Sequence, residues 1–276
     1  MVSRMPNISP VVVVAEPRTG TNLLRTLADQ SRVYRLAFEF LLPPNNTLWE
    51  QVNFWSVLNS IGRSCVCQWP RNGRLGEEFF SVYYEEVFRR AGGRPLWFDV
   101  KYTHLFLFED GPGPGRPRMV ELFAERSAAF IHVRRRNLLE QHLSLLRAVK
   151  TGEWRRSAGT VERKRNPQPV AEPLVRVDAR RVLATLRDLR RREQHLESMF
   201  ASVPGYRPLW YEDMLSGGRA APQVVNFFRD LHGVQLPAET VPTILKISPP
   251  PDRLVENYAE LQAALAGTEF EAMLPR

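Results

Sequence analysis

The sequence predicts an α/β domain with a central parallel sheet, and three stretches carry that reading. Val11–Val14 is a run of β-branched residues, the mark of a short, fully buried strand, and Leu23, Leu24 and Leu27 then recur at helical spacing. Pro95–His104 (Pro-Leu-Trp-Phe-Asp-Val-Lys-Tyr-Thr-His) reads as another buried strand that runs into polar residues at its end. Phe130, Ile131 and Val133 suggest a further strand, and Leu138, Leu139, His142, Leu143, Leu146 and Val149 mark an amphipathic helix behind it. With 276 residues and 43% hydrophobic content, the chain can bury one full core, and residues 1–276 are read as a single domain.

The first strand leads into Pro17-Arg18-Thr19-Gly20-Thr21-Asn22, a strand-to-helix turn. Backbone N–H groups at a helix start are unpaired and lie at the positive end of the helix dipole, so such a turn binds anions. Gly20 lets a ligand approach the chain and Arg18 adds a full charge. The nucleotide-binding pattern G-x-x-x-x-G-K-[ST] is not met, because no Gly begins the loop and no Lys follows Gly20. That argues against an ordinary ATPase or GTPase, and it also disfavours the alternative enzyme, a P-loop-type nucleotide kinase. A phosphate or sulfate is the expected guest.

A second constellation follows the third strand. Arg134, Arg135, Arg136 and Asn137 open the amphipathic helix, and Ser144 lies eight residues after Arg136, near two turns along the axis. A guanidinium and a hydroxyl so placed can share one phosphate, the first through a charged fork and the second through a neutral hydrogen bond.

Pro-Arg-Thr-Gly-Thr-Asn-Leu-Leu at residues 17–24 resembles the 5'-phosphosulfate-binding loop of the sulfotransferases. Arg136 with Ser144 resembles their 3'-phosphate-binding motif. The run Arg-Arg-Arg-Asn with Ser-Leu-Leu-Arg-Ala-Val-Lys-Thr-Gly-Glu-Trp is close to the bacterial subgroup that includes the trehalose (Stf-type) and nodulation-factor enzymes. The resemblance implies a P-loop-like three-layer fold and 3'-phosphoadenosine 5'-phosphosulfate as sulfuryl donor. It implies that Arg18 contacts the transferring group, and that Thr19, Gly20, Thr21 and Asn22 supply backbone and hydroxyl donors. Arg136 and Ser144 would then hold the 3'-phosphate. Near the C-terminus, Tyr211-Glu212-Asp213 and Arg253-Leu254-Val255-Glu256-Asn257-Tyr258 resemble further family segments. Lys246 and Arg253 flank Pro249-Pro250-Pro251, in the place of a family loop that folds over the nucleotide, and both are candidate phosphate contacts.

Two residues are candidates for the base. Glu39 is the one carboxylate in the apolar stretch Val33–Pro44, where burial would raise its pKa toward that of a proton acceptor. In the resembling enzymes an acidic residue at about this remove from the loop often serves so. His104, at the end of the Pro95–His104 strand, is the second candidate, with Lys101 beside it. That strand resembles a Gly-Phe-Lys-containing strand of the family, with Asp99 where a small residue is expected.

Composition narrows the partners. The 38 basic and 30 acidic residues leave a net charge of +8, which suits an anionic partner. Much of the excess lies in residues 155–165 and 180–192, and the second run belongs to a helix whose apolar stripe is Val182, Leu183, Leu186, Leu189, Leu196, Met199 and Phe200. Its arginines read as a solvated face; a basic nucleic-acid-binding module is the non-enzymatic alternative, without interleaved aromatics or a recognised motif to support it. The two cysteines, Cys65 and Cys67, fit free thiols. The five histidines form no metal-ligand pair, and no metal is expected. No apolar stretch approaches the roughly 20 residues of a membrane span, and the expected location is the cytoplasm. The expected activity is in-line transfer of a sulfuryl group to a hydroxyl of a small-molecule, sugar or lipid acceptor. The aromatic-rich residues 45–90 would roof the acceptor pocket.

Overall fold

Val11–Ala15 (β1) lies in the middle of a sheet of five strands, flanked by Leu96–Lys101 (β3) on one side and Ala129–Arg134 (β4) on the other. Arg35–Glu39 (β2) and Tyr206–Trp210 (β5) form the edges, giving the order β2-β3-β1-β4-β5 with every neighbouring pair parallel. The computed structural model describes residues 9–39, 73–106, 115–154, 156–157, 174–237, 240–245 and 248–275.

All five residues of β1 are buried, as a strand covered on both faces must be. Successive side chains point to opposite faces, so Val11, Val13 and Ala15 pack with Leu23, Leu24 and Leu27 of Thr21–Gln30 (α1), and with Phe227 and Phe228 of Pro222–His232 (α6). Val12 and Val14 face the other way, toward Phe80, Tyr83 and Val87 of Gly73–Ala91 (α2) and Phe123 of Arg118–Ala124 (α3). Leu196, Met199 and Phe200 of Ala179–Phe200 (α5) complete that face. Each fully buried side chain of this size contributes on the order of 1.5–3 kcal/mol. The result is the α/β fold with a parallel sheet that the buried strands predict, in the three-layer, P-loop-like form that the resemblance implies.

Leu138–Thr151 (α4) is the amphipathic helix expected behind β4, with Asn137 as its N-cap: the Asn137 side chain accepts the Glu140 N–H. Leu138, Leu139 and Leu143 pack on Val182, Leu186 and Leu189 of α5 and on Leu261 and Leu265 of Tyr258–Leu265 (α7). Val149 departs from the expected stripe and is 66% exposed. The helix is covered instead on a second, polar face, where Gln141, Ser144 and Arg147 are buried. In α5 the arginines are not uniformly solvated either. Arg180, Arg181, Arg187 and Arg191 are exposed, but Arg192 turns inward to pair with buried Glu16 at 3.1 Å.

Among the described residues, no helix is long and apolar enough to cross a membrane. Cys65, Cys67, Lys246, residues 45–72 of the aromatic-rich stretch 45–90 and nearly all of the basic stretch 155–165 lie outside the described residues.

A histidine sits inside the sheet. His132 of β4 is buried, and its Nδ1 lies 3.0 Å from the Tyr206 hydroxyl. Burial, and then the charge of Arg134, pushes its pKa down from 6.5 to about 3. The folded chain therefore keeps His132 neutral while the unfolded chain takes up its proton near pH 6.5, so stability falls as pH drops from 6.5 toward 3. Thermal melts across that window should show a shallower decline for His132→Gln than for wild type; parallel curves would refute the assignment.

Candidate anion site between the ends of β1 and β4

The chain leaves β1 toward β2 on one side of the sheet and leaves β4 toward β5 on the other, so the carboxyl ends of these two neighbours flank a crevice. Open α/β sheets bind ligands at such a switch point. The two motifs singled out in the sequence, Pro17–Asn22 and Arg136 with Ser144, are the segments that follow these two strands.

The first loop is shaped by its backbone. Thr19 Oγ1 donates to the Glu16 carbonyl at 2.9 Å, closing the turn from inside. Arg18 has a φ of 68° and Gly20 a φ of 99°, both left-handed. For a residue with a Cβ this region costs on the order of 1–3 kcal/mol, and such conformations concentrate at functional sites. Gly20 is the N-cap of α1, Leu24 N–H bonds back to its carbonyl at 3.1 Å, and no side chain caps the helix start. The buried hydroxyls of Thr19 and Thr21 flank it.

The polar face of α4 meets this loop. Gln141 Nε2 donates to the Pro17 carbonyl at 3.0 Å, and Arg18 Nε donates to Ser144 Oγ at 3.0 Å across 126 residues of chain. Arg135 Nη1 donates to the Arg18 carbonyl at 3.2 Å, and Arg18 Nη1 reaches the Trp154 carbonyl at 2.5 Å. Gln141, Ser144 and Arg147 are spaced by three, which puts them on one side of a helix. In the sequence that spacing is a polar row, of which only Ser144 belongs to a binding motif.

Charge is concentrated here. Arg135 pairs with Glu140 at 2.6 Å and Arg147 with Glu153 at 2.7 Å, while Arg18 has no carboxylate partner among the described residues. Burial, then the nearby Arg135 and Arg147, lowers the pKa of Arg18 from its ordinary value. A cluster of three buried or half-buried guanidinium groups with two carboxylates has room, electrostatically, for an anion.

The remaining expected residues divide into two groups. Lys101 stands on the α1 side: its Nζ donates to Asp99 at 2.8 Å and to Thr21 Oγ1 at 3.3 Å, so Asp99, in the place of a small residue, anchors the lysine beside the loop helix. The Lys101 N–H donates to His104 Nδ1 at 3.2 Å, which leaves the ring proton on Nε2. Burial, then the charge of Lys101, pushes the His104 pKa down to about 4, so at neutral pH this imidazole is a donor through Nε2. Glu39 ends β2, with its backbone opposite Asp99. The second group is farther out. The Arg136 guanidinium forms a two-pronged pair with Asp213 at 2.6 Å, half-exposed over the Trp210 ring, and is not brought to Ser144. The start of α4 is filled by Glu212, whose carboxylate accepts the Arg136 and Asn137 N–H groups at 3.0–3.2 Å. Arg253 is exposed on the turn Pro251–Leu254. Among the described residues no group of His, Cys, Asp and Glu is arranged to hold a metal.

Tyr211 closes the loop from above. Arg135 lies 4.7 Å over its ring, and a Cβ added to Gly20 would run into the same ring. Gly20→Ala therefore meets both a left-handed φ and a steric block. It is expected to lower the melting temperature by several degrees and to weaken anion binding at the loop at least tenfold, measured by thermal melts and titration calorimetry. An unchanged variant would mean that the loop is not held in this conformation.

No curated protein matches the chain. A family model described as Stf0 sulphotransferase matches residues 106–215. The match begins within the turn after β3 and runs through α3, β4, α4, α5 and β5, taking in Arg135, Arg136, Gln141, Ser144, Arg147 and Tyr211. The matched span is similar to the family that the motifs resemble, and it holds the segment after β4 that meets the loop after β1.

Proposed function

We propose that this protein transfers a sulfuryl group from 3'-phosphoadenosine 5'-phosphosulfate to a hydroxyl of a small-molecule, sugar or lipid acceptor. The observation that carries the reading is the bond from Arg18 to Ser144. It brings together the two motifs that resemble the 5'-phosphosulfate and 3'-phosphate sites, from chain positions 126 residues apart. The residues present fit a nucleotide with anions at both ends: an uncapped helix start beside a guanidinium without a carboxylate partner among the described residues, and a polar helix face about two turns long.

When bound, the donor supplies a sulfuryl group whose bond to the 5'-phosphate oxygen breaks as the acceptor oxygen bonds to sulfur. The amides of Thr19–Asn22 and the Arg18 guanidinium would bind the 5' end and stabilise the charge that develops on the transferred group and the bridging oxygen. Ser144 would give up Arg18 and hold the 3'-phosphate. Arg136 would join it by leaving Asp213, a half-exposed pair of a kind worth about 1 kcal/mol or less. Glu39, at the carboxyl end of β2, is the proposed base for the acceptor hydroxyl, and His104 a donor beside Lys101. Binding both reactants in one crevice places the acceptor oxygen in line with the bond that breaks.

Calorimetric titration with adenosine 3',5'-bisphosphate tests the donor site, with ATP as control. A charged hydrogen bond is worth about 1.5–3 kcal/mol, so Arg18→Ala should weaken binding by roughly 10- to 150-fold; Ser144→Ala removes a neutral bond and should cost roughly 2- to 10-fold. Absence of binding by the wild-type protein would overturn the proposal, as would preference for ATP.

A further inference from the structure

Arg147 is the most deeply buried cation at the site, and the motif that contains it gives it no role. Its side chain is 3% exposed, and Nη2 pairs with Glu153 at 2.7 Å. Its Nε and Nη1 groups are buried with no hydrogen-bond partner among the described residues. A buried N–H left unpaired costs on the order of 1–3 kcal/mol, more when it belongs to a charged group. Two on one guanidinium are therefore expected to serve something.

The placement says what. Arg147 lies one turn beyond Ser144 on the α4 row whose other members, Gln141 and Ser144, both bond to the anion loop. Its charge is felt at Arg18, whose pKa it lowers. Nε and Nη2 form the planar side-on fork of a guanidinium, suited to two oxygens of a tetrahedral oxyanion, and Nη2 is the nitrogen that Glu153 now holds. Meanwhile the start of α4, where a second anion was expected, already holds Glu212, and Arg136 is turned out to Asp213.

Resting on the donor-site reading above, we propose that Arg147 binds an oxyanion of the donor, with Glu153 as the internal carboxylate that holds Nη2 and neutralises the guanidinium when no donor is bound. The oxyanion is the 3'-phosphate or the sulfuryl group; both present the same tetrahedral oxygens. Glu153 then opposes the ligand by drawing on the same guanidinium and by like-charge repulsion. Removing the arginine and removing the carboxylate have opposite consequences for binding.

The test is titration calorimetry of wild type, Arg147→Met, Arg147→Lys and Glu153→Gln. The ligands are AMP, adenosine 3',5'-bisphosphate, which adds the 3'-phosphate, and adenosine 5'-phosphosulfate, which adds the sulfuryl group. Arg147→Met should weaken one of the two larger ligands at least tenfold while leaving AMP within about twofold, and the affected ligand identifies the oxyanion. Arg147→Lys should recover part of the loss, and Glu153→Gln should tighten binding of the same ligand by about two- to fivefold. If Arg147→Met and Glu153→Gln weaken all three ligands alike with matching losses in melting temperature, the pair is structural and the inference fails while the donor site stands. Equal binding by wild type and Arg147→Met also refutes it. Wild-type protein that binds neither larger ligand would instead remove the donor-site reading on which it rests.

Discussion

Three side-chain bonds hold the loop after β1 against the segment after β4: Gln141 to the Pro17 carbonyl, Arg135 to the Arg18 carbonyl, and Arg18 to Ser144. Two of the three satisfy loop carbonyls that a left-handed, sharply turned backbone could not pair within itself. This contact depends on β1 and β4 being neighbours in the sheet while their chains leave in opposite directions, so the strand order decides which side chains can meet. The buried valines of β1 thus do more than fill the core. They fix the height at which Arg18 emerges relative to α4, through the register that sets Val11 opposite both Trp97 and Ala129.

Electrostatics gives the crevice its character. Several carboxylates nearby are committed to cations: Glu140 to Arg135, Glu153 to Arg147, Glu16 to Arg192, Asp99 to Lys101, Asp213 to Arg136. Arg18 alone of these cations bonds only to neutral oxygens among the described residues. The cation that the loop presents is also the one whose charge is least compensated, and its own burial lowers its pKa. A dianionic group at the start of α1 would meet the helix dipole and this guanidinium together.

The strands and the helix behind β4 were legible because burial on both faces writes itself as a continuous run of Val, Ile and Phe, and a stripe on a helix as spacing by three and four. The loop was legible through Pro17, Gly20 and the missing Lys. The polar face of α4 was only half legible: Ser144 belonged to a motif, whereas Gln141 and Arg147 are residue types that usually sit in water, and nothing local shows that a loop from position 17 covers them. Arg136 illustrates the converse. Three consecutive arginines are equivalent in sequence, yet one turn of the chain aims Arg135 at the loop and Arg136 at Asp213, a choice made by the β5 segment seventy residues away. The capping of α4 by Glu212 has the same origin, since a carboxylate from the end of β5 reaches it only once the sheet has formed.

The most direct measurement is a crystal structure of the protein with adenosine 3',5'-bisphosphate. The account predicts the 5'-phosphate on the first-turn amides of α1, with Arg18 turned from Ser144 toward it and the 3'-phosphate on the polar face of α4. A nucleotide bound away from the crevice between β1 and β4, or one that leaves the Arg18–Ser144 bond intact, would contradict it.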